Sequence, residues 1–265
     1  MISPLAHISP DAKLGNNVKV DPFAVIHEDV RIGDDTHIMS GAVIMSGTTI
    51  GTGCLIFPGA VLGAIPQDLK FMGEKTTVEI GDNTTIRECV TVNRGTQDKW
   101  KTVIGSNCLL MAYAHVAHDC ILGDNVILSN SVQLAGHVEV GDWAIIGGMA
   151  GAPQFSRIGA HCYVFGHTVI NKDIPPFMKA GRTPISYAGV NSVGLQRRGF
   201  SSEAINQILE VYRNLYNKGF NTSQALETIE NDLPDSPERN TILTFIKESK
   251  RGIVKVFSKA DMDEN

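Results

Sequence analysis

The stretch Val103-Ile104-Gly105-Ser106-Asn107-Cys108-Leu109-Leu110-Met111-Ala112-Tyr113-Ala114-His115-Val116-Ala117-His118-Asp119-Cys120-Ile121-Leu122-Gly123 repeats itself every six residues. Ile104, Leu110, Val116 and Leu122 mark the beat. Cys108, Ala114 and Cys120 fill a small slot four places after it, and Gly105 and Gly123 follow the aliphatic directly. Toward the N-terminus the same phase runs back through Val92, Ile86 and Ile80 and, past a gap, from Leu62 to Ile2. Toward the C-terminus it runs through Leu128, Leu134, Val140, Ile146, the weaker Ala152, Ile158 and Val164 to Ile170. Only Asp68, Glu74 and Asp98 break it, inside two interruptions. An amphipathic helix cannot hold this phase, because six is no multiple of 3.6. The pattern predicts a short strand and a turn, repeated, with glycine serving turn geometry.

Three hexads close one triangular coil of eighteen residues, and coils stack about 4.8 Å apart as parallel strands. Residues eighteen apart therefore lie one above another. Residues 1–190 are expected to form this prism, with loops inserted near 64–78 and 97–103, and 191–265 a small helical domain. Four cysteines, Cys54, Cys108, Cys120 and Cys162, occupy the small slot and read as packing residues.

Composition narrows the function. The formal net charge of −5 disfavours bulk binding to nucleic acid or an anionic membrane. No apolar run approaches membrane-spanning length, and the N-terminus has no signal-peptide pattern, so no stable membrane insertion is expected. Five scattered cysteines without a CxxC pair fit a reducing compartment, and the location expected is cytoplasmic.

The first interruption carries Gln67, Asp68 and Lys70, polar groups suited to grip a ligand. The second includes Trp100, whose loop position suggests packing against something else, such as a neighbouring subunit. Between these loops and the C-terminus lies His115-Val116-Ala117-His118-Asp119. Adding eighteen puts Gly136 over His118 and His137 over Asp119; adding eighteen again puts Gln154 over Gly136. These residues form one surface column, for which solvated turn residues are the bland alternative. The chemistry that fits is acyl transfer. His118 would remove a proton from an acceptor hydroxyl, a role worth about 10²–10⁴ in rate. Asp119 would hold the imidazole's tautomer. The Gly136 N–H would face the developing oxyanion, worth about 10²–10³. No serine or cysteine nucleophile sits beside His118 in a recognisable motif, which favours direct attack.

After Ile170 the repeat stops at Asn171-Lys172-Asp173-Ile174-Pro175-Pro176. Ser201 or Ser202 caps a helix with Ile205, Ile208, Leu209, Tyr212, Leu215 and Tyr216 on its apolar face, ending near Gly219. Thr222 and Ser236-Pro237 open two more. Arg197 and Arg198 form a basic pair at the domain's entry, suited to phosphate.

The hexads resemble the hexapeptide-repeat acyltransferases, and the combination of Gln67-Asp68-Leu69-Lys70, Arg94-Gly95-Thr96, the His118 stretch, Leu134-Ala135-Gly136-His137, Ile145-Ile146-Gly147-Gly148-Met149, Gly189-Val190-Asn191 and Gly194-Leu195 with Arg197-Arg198-Gly199-Phe200 resembles the UDP-N-acetylglucosamine O-acyltransferases that begin lipid A biosynthesis. The resemblance covers nearly the whole chain. It implies an all-β left-handed parallel β-helix followed by a small α-helical C-terminal domain; periodicity alone does not give the hand. It implies His118 as base, Asp119 assisting and Gly136 as oxyanion donor. Gln67, Asp68, Lys70, His115, His137 and Gln154 would bind the sugar nucleotide or acyl group. Asn191, Arg197 and Arg198 would meet the uridine diphosphate or the phosphopantetheine arm across a subunit boundary. Gly166 would set acyl-chain length, with Phe165 and Tyr163 nearby. The chain departs from relatives at Val193, where some have an acidic residue, and at Pro153. Implied partners are acyl carrier protein, UDP-N-acetylglucosamine and two further copies in a homotrimer, with no cofactor.

Three rivals remain open at this level. The N-acyltransferase of the same pathway typically has an extra domain ahead of its hexads, whereas here the repeat starts at Ile2. Acetyl-CoA-dependent hexapeptide acetyltransferases share the repeat. A zinc protein of the γ-carbonic anhydrase type would use His115, His118 and His137 as ligands; Asp119 beside His118 favours base chemistry and no metal.

Overall fold

A computed structural model describes residues 1–256 apart from the Asn217 side chain; residues 257–265, the end of the expected helical domain, lie outside the described residues. The chain winds into a left-handed parallel β-helix. Its three faces are sheets of eight, eight and ten strands, parallel except for the last strand of the third, in which each coil strand pairs with the strand one coil away. His115–Val116 pairs with Gln133–Leu134, and Gln133–Leu134 with Gly151–Ala152, each eighteen residues on. The inward aliphatics stack through the prism: Ile26, Ile44, Leu62, Val92, Val116 and Leu134 are wholly buried along one face. Each contributes about 1.5–3 kcal/mol by leaving water. In the first coil Ile2 stays 53% exposed.

The hexad phase survives the interruptions for a simple reason. Val61 pairs with Thr91, thirty residues on, so the first loop adds twelve residues to a coil of eighteen. Thr85 pairs with Leu109, twenty-four on, so the second adds six. Both insertions are whole hexads. The strands Thr77–Ile80 and Lys101–Ile104 pair along their full length, so residues 77–78 and 101–103, expected within the loops, are strand. Arg94 roots the first loop through Nε to the Gly63 carbonyl (2.9 Å) and Nη2 to the Ser46 carbonyl (2.6 Å).

The winding does not stop at Asn171–Pro176. Ile174 bridges to Ile158 and Met178–Gly181 pairs with Tyr163–Val164, giving a last coil two residues shorter. An antiparallel strand, Ser186–Val190, then closes that face. Four helices follow: α1 (Ser192–Arg197), α2 (Ser202–Asn217), α3 (Thr222–Asp232) and α4 (Pro237–Glu248). Ser201 caps α2, Ser236 caps α4, and Asn221 with Gln224 forms a capping box on α3. Ile205, Ile208, Tyr212, Ala225, Ile229, Ile242 and Leu243 form their shared core. Among the described residues, no helix is long and apolar enough to cross a membrane.

Candidate active site

From Asn17 onward, the regular corners of the prism place a residue in the left-handed backbone region. At one corner Asp119, His137 and Phe155 supply it in successive coils, with φ of 59°, 63° and 63°. Such conformations are uncommon outside glycine. One position earlier in each coil come His118, Gly136 and Gln154. The His137 N–H donates to the His118 carbonyl (3.0 Å) and the Phe155 N–H to the Gly136 carbonyl (3.2 Å), which fixes the stacking. A Cβ on Gly136 would lie 2.4 Å from His118 Cε1. The glycine is what lets the imidazole lie flat against the coil above.

His118 is 4% exposed and Asp119 wholly buried. His118 Nδ1 lies 2.8 Å from Asp119 Oδ2. Asp119 Oδ1 accepts from the backbone N–H of Thr96 (2.9 Å) and Lys99 (3.2 Å), and Oδ2 accepts from the Thr96 hydroxyl (2.6 Å). Burial alone would push this carboxyl up; the hydrogen bonds from Thr96, His118 and Lys99 outweigh it and hold Asp119 below the usual carboxylate range. An ionised Asp119 makes Nδ1 the donor, so Nε2 carries the free lone pair. That nitrogen lies beside Gly136, with Asp68 Oδ2 of the first inserted loop 4.0 Å away. Among the described residues, no acceptor takes the Gly136 N–H.

His137 stacks on Phe155, ring centroids 4.3 Å apart, and meets the His118 ring edge-on at 5.0 Å. Its Nδ1 lies 3.1 Å from Asp98 Oδ2 and its Nε2 3.9 Å from Asp119 Oδ2. The Nδ1 contact is close but off the hydrogen-bond axis. His115 Nδ1 pairs with the Thr91 hydroxyl at 2.7 Å, and burial, with His118 alongside, holds His115 below the ordinary imidazole value. His115 lines an open groove of about 460 Å³ with Gln133 and Pro153 on one flank of the corner. On the other flank a groove of about 620 Å³ runs past Lys99, His137, Phe155 and Arg157.

The donor atoms of His118, Asp119 and His137 lie within 4.8 Å of one another, and His115 is not among them. This set suits a metal ion poorly. His118 Nδ1 is committed to Asp119, and both Asp119 oxygens already accept protein hydrogen bonds.

The remaining residues are elsewhere. Gln67 and Lys70 are exposed on the first loop, where the Lys70 N–H donates to Asp68 Oδ1 at 2.9 Å. Gln154 is exposed above Gly136, its carbonyl taken by Arg251. Asn191, Arg197 and Arg198 belong to a different corner, and within one chain they do not meet His118. Asn191 Nδ2 donates to the His161 carbonyl at 2.9 Å. Arg198 donates to His161 Nδ1 at 3.2 Å and lies over the Trp143 ring at 5.2 Å, while Arg197 is exposed. Gly166 sits beneath a third corner, where a Cβ would approach the Gly148 carbonyl at 3.1 Å. Thr96, Asp98 and Lys99 received no role from the sequence; their signal was a six-residue insertion just ahead of the histidines.

Fold and site together define a hexapeptide-repeat transferase. A profile described as bacterial transferase hexapeptide (six repeats) matches residues 29–64 and 101–136, and one described as UDP-N-acetylglucosamine O-acyltransferase, domain 2, matches 173–254. An acyl-[acyl-carrier-protein]–UDP-N-acetylglucosamine O-acyltransferase of Thiobacillus denitrificans is 48% identical over 96% of this chain and 99% of its own length. The crystal structure of a UDP-N-acetylglucosamine acyltransferase from Bacteroides fragilis superposes with a TM-score of 0.94 at 52% identity, covering 96% of this chain and 100% of that one. The Francisella novicida enzyme gives 0.95 at 35% identity, covering 98% and 96%. The chain belongs to the UDP-N-acetylglucosamine O-acyltransferase family.

Proposed function

We propose that the chain transfers an (R)-3-hydroxyacyl group from the phosphopantetheine thioester of acyl carrier protein to the 3-hydroxyl of UDP-N-acetylglucosamine, the first step of lipid A biosynthesis. Open grooves on the two flanks of the corner, one lined by His115 and the other by His137, suit a reaction between two substrates. His118 Nε2 takes the proton as the sugar hydroxyl oxygen attacks the thioester carbonyl. The carbonyl oxygen gains negative charge, which the Gly136 N–H meets. The C–S bond then breaks, the ester carbonyl re-forms, and the His118 proton passes to the departing sulfur. Atoms and charge balance without a cofactor. Asp119 holds the Nδ1–H and stabilises the imidazolium between the two proton transfers.

The carrying observation is the free Nε2 of a buried histidine whose Nδ1 is held by Asp119. Asp68 and Lys70 on the first loop, with Gln67, His115, His137 and Gln154, would orient the substrates. The separation of Asn191, Arg197 and Arg198 from His118 favours a site completed by a neighbouring copy, as the expected homotrimer would supply; the location expected remains the cytoplasm. The close stacking of Gly166, exposed, on the half-buried Gly148 fits a role in acyl length. The test is kinetic, with mass spectrometry of the product. His118→Ala is expected to lower kcat by about 10²–10⁴ with its folding intact. Near-normal turnover in that variant would reject the base.

A further inference from the structure

The six-residue insertion ahead of the histidines does work that a regular coil cannot. At the same corner, two coils below the first interruption's exit, Asp29 occupies the slot that Asp119 occupies, with φ of 54° against 59°. Asp29 is exposed, its side chain 51% accessible. Asp119 is wholly buried. A regular coil offers an outward turn carboxylate only the coil below. The insertion adds a tight turn closed by the Trp100 N–H donating to the Thr96 carbonyl at 2.8 Å. That turn covers the Asp119 carboxylate with two amides and a hydroxyl. The Thr102 hydroxyl, just past the turn, accepts from the Asp119 N–H at 2.9 Å.

The same turn reaches one residue further. Asp98 carries its carboxylate to 3.1 Å from His137 Nδ1, and its own N–H donates to the Thr96 hydroxyl at 3.3 Å. His137 therefore sits between two carboxylates, Asp98 and Asp119, and its ring stands edge-on to His118. Four ionisable side chains alternate from solvent inward: Asp98, His137, Asp119, His118. Asp98, with a side chain 60% exposed, is the solvent end.

We propose that the inserted turn is a clamp on the catalytic pair, with Thr96 the positioning residue for Asp119 and Asp98 the positioning residue for His137. Neither touches the reacting atoms. Thr96 fixes the carboxylate that fixes His118, so it governs how often Nε2 points at the acceptor hydroxyl. Asp98 limits the rotation of the His137 ring against Phe155. The inference rests on His118 being the base, and its test separates the two claims.

The experiment compares Thr96→Val, Thr96→Ser, Asp98→Asn and His118→Ala in the intact protein, with UDP-N-acetylglucosamine and (R)-3-hydroxyacyl-acyl carrier protein as substrates. Thr96→Val keeps the shape and removes the hydroxyl. Its kcat is expected to fall about 10- to 100-fold, the usual range for residues that orient a site's ligands from behind, with KM for the sugar nucleotide unchanged. Thr96→Ser is expected to restore kcat, because the hydroxyl returns. Asp98→Asn, on an exposed turn that leaves the fold intact, is expected at the low end of that range. A purely structural role would instead lower the melting temperature and leave the kcat of folded protein alone. If His118→Ala is inactive while Thr96→Val and Asp98→Asn turn over like the parent, the base stands and the clamp is overturned. If His118→Ala remains active, both fall.

Discussion

Two corners of the prism share one backbone and do opposite things. At the first, Asp119, His137 and Phe155 take the left-handed position; at the second, Asn125, Trp143 and His161 do so, with φ of 58°, 61° and 59°. The difference lies one residue earlier. At the second corner the Ser106 N–H donates to Asp124 Oδ1 at 2.7 Å, and the Asp124 N–H to Asp142 Oδ1 at 2.9 Å. In these two coils the exposed amide is capped by a carboxylate from the coil above. At the first corner Gly136 stands over His118 and Gln154 over Gly136, and the Gly136 amide is left open. The second corner then fills its outer surface with a stack of Trp143, His161 and Phe177 under Arg198. The second corner caps the Ser106 and Asp124 amides, whereas the proposed reactive corner leaves the Gly136 amide free.

Exchanging the caps tests that contrast most sharply. Gln154→Asp puts a carboxylate above Gly136 in the slot that Asp142 holds above Asp124. The capped amide can no longer serve an oxyanion, so kcat is expected to fall by about 10²–10³, with the melting temperature held or raised. Gln154→Ala is the control: it deletes any substrate contact without supplying a cap, and its effect should appear chiefly in KM. Equal kcat for the Asp and Ala variants would break the comparison. The converse change, Asp142→Ala, uncaps Asp124 at the second corner. It should lower stability by about 1 kcal/mol, the ordinary worth of one such hydrogen bond, and leave kcat alone; urea unfolding together with an activity assay reads both.

The prism was legible because its signal is arithmetic. An inward aliphatic every sixth residue survives two loops only because those loops insert whole hexads. The same arithmetic set Gly136 over His118. What it could not supply is contact made by chain that leaves the repeat. Asp68 reaches to 4.0 Å from His118 Nε2 from a loop whose path no period describes. The hydrogen bonds of Thr96 and Lys99 to Asp119 depend on the tightness of the second loop. The sequence break at Pro175-Pro176 was misleading, because those residues pack inside a shortened last coil: Gly159 leaves room for Pro176, whose carbonyl accepts from the Tyr212 hydroxyl of α2. Arg198 looked like a free phosphate ligand, whereas its own chain gives it an aromatic ring and an imidazole acceptor.

The smallest expected effect concerns that imidazole. Burial, with the Arg198 guanidinium alongside and against the pull of Asp142, pushes His161 down from an ordinary 6.5 to about 4. The neutral ring accepts from Arg198 and stacks between Trp143 and Phe177. In the unfolded chain the same histidine takes its proton near 6.5, so between that value and about 4 the unfolded state binds more protons than the folded one. The stability that His161 contributes is therefore complete above the unfolded value and is lost as pH falls through that window. His161→Phe keeps a ring in the stack and removes the titration. The parent's melting temperature should thus exceed the variant's by a margin that shrinks steadily from pH 7 toward pH 4. A margin constant across that range would mean the second corner holds its histidine without selecting its charge, and the division between a sealed corner and a reactive one would then rest on the amide caps alone.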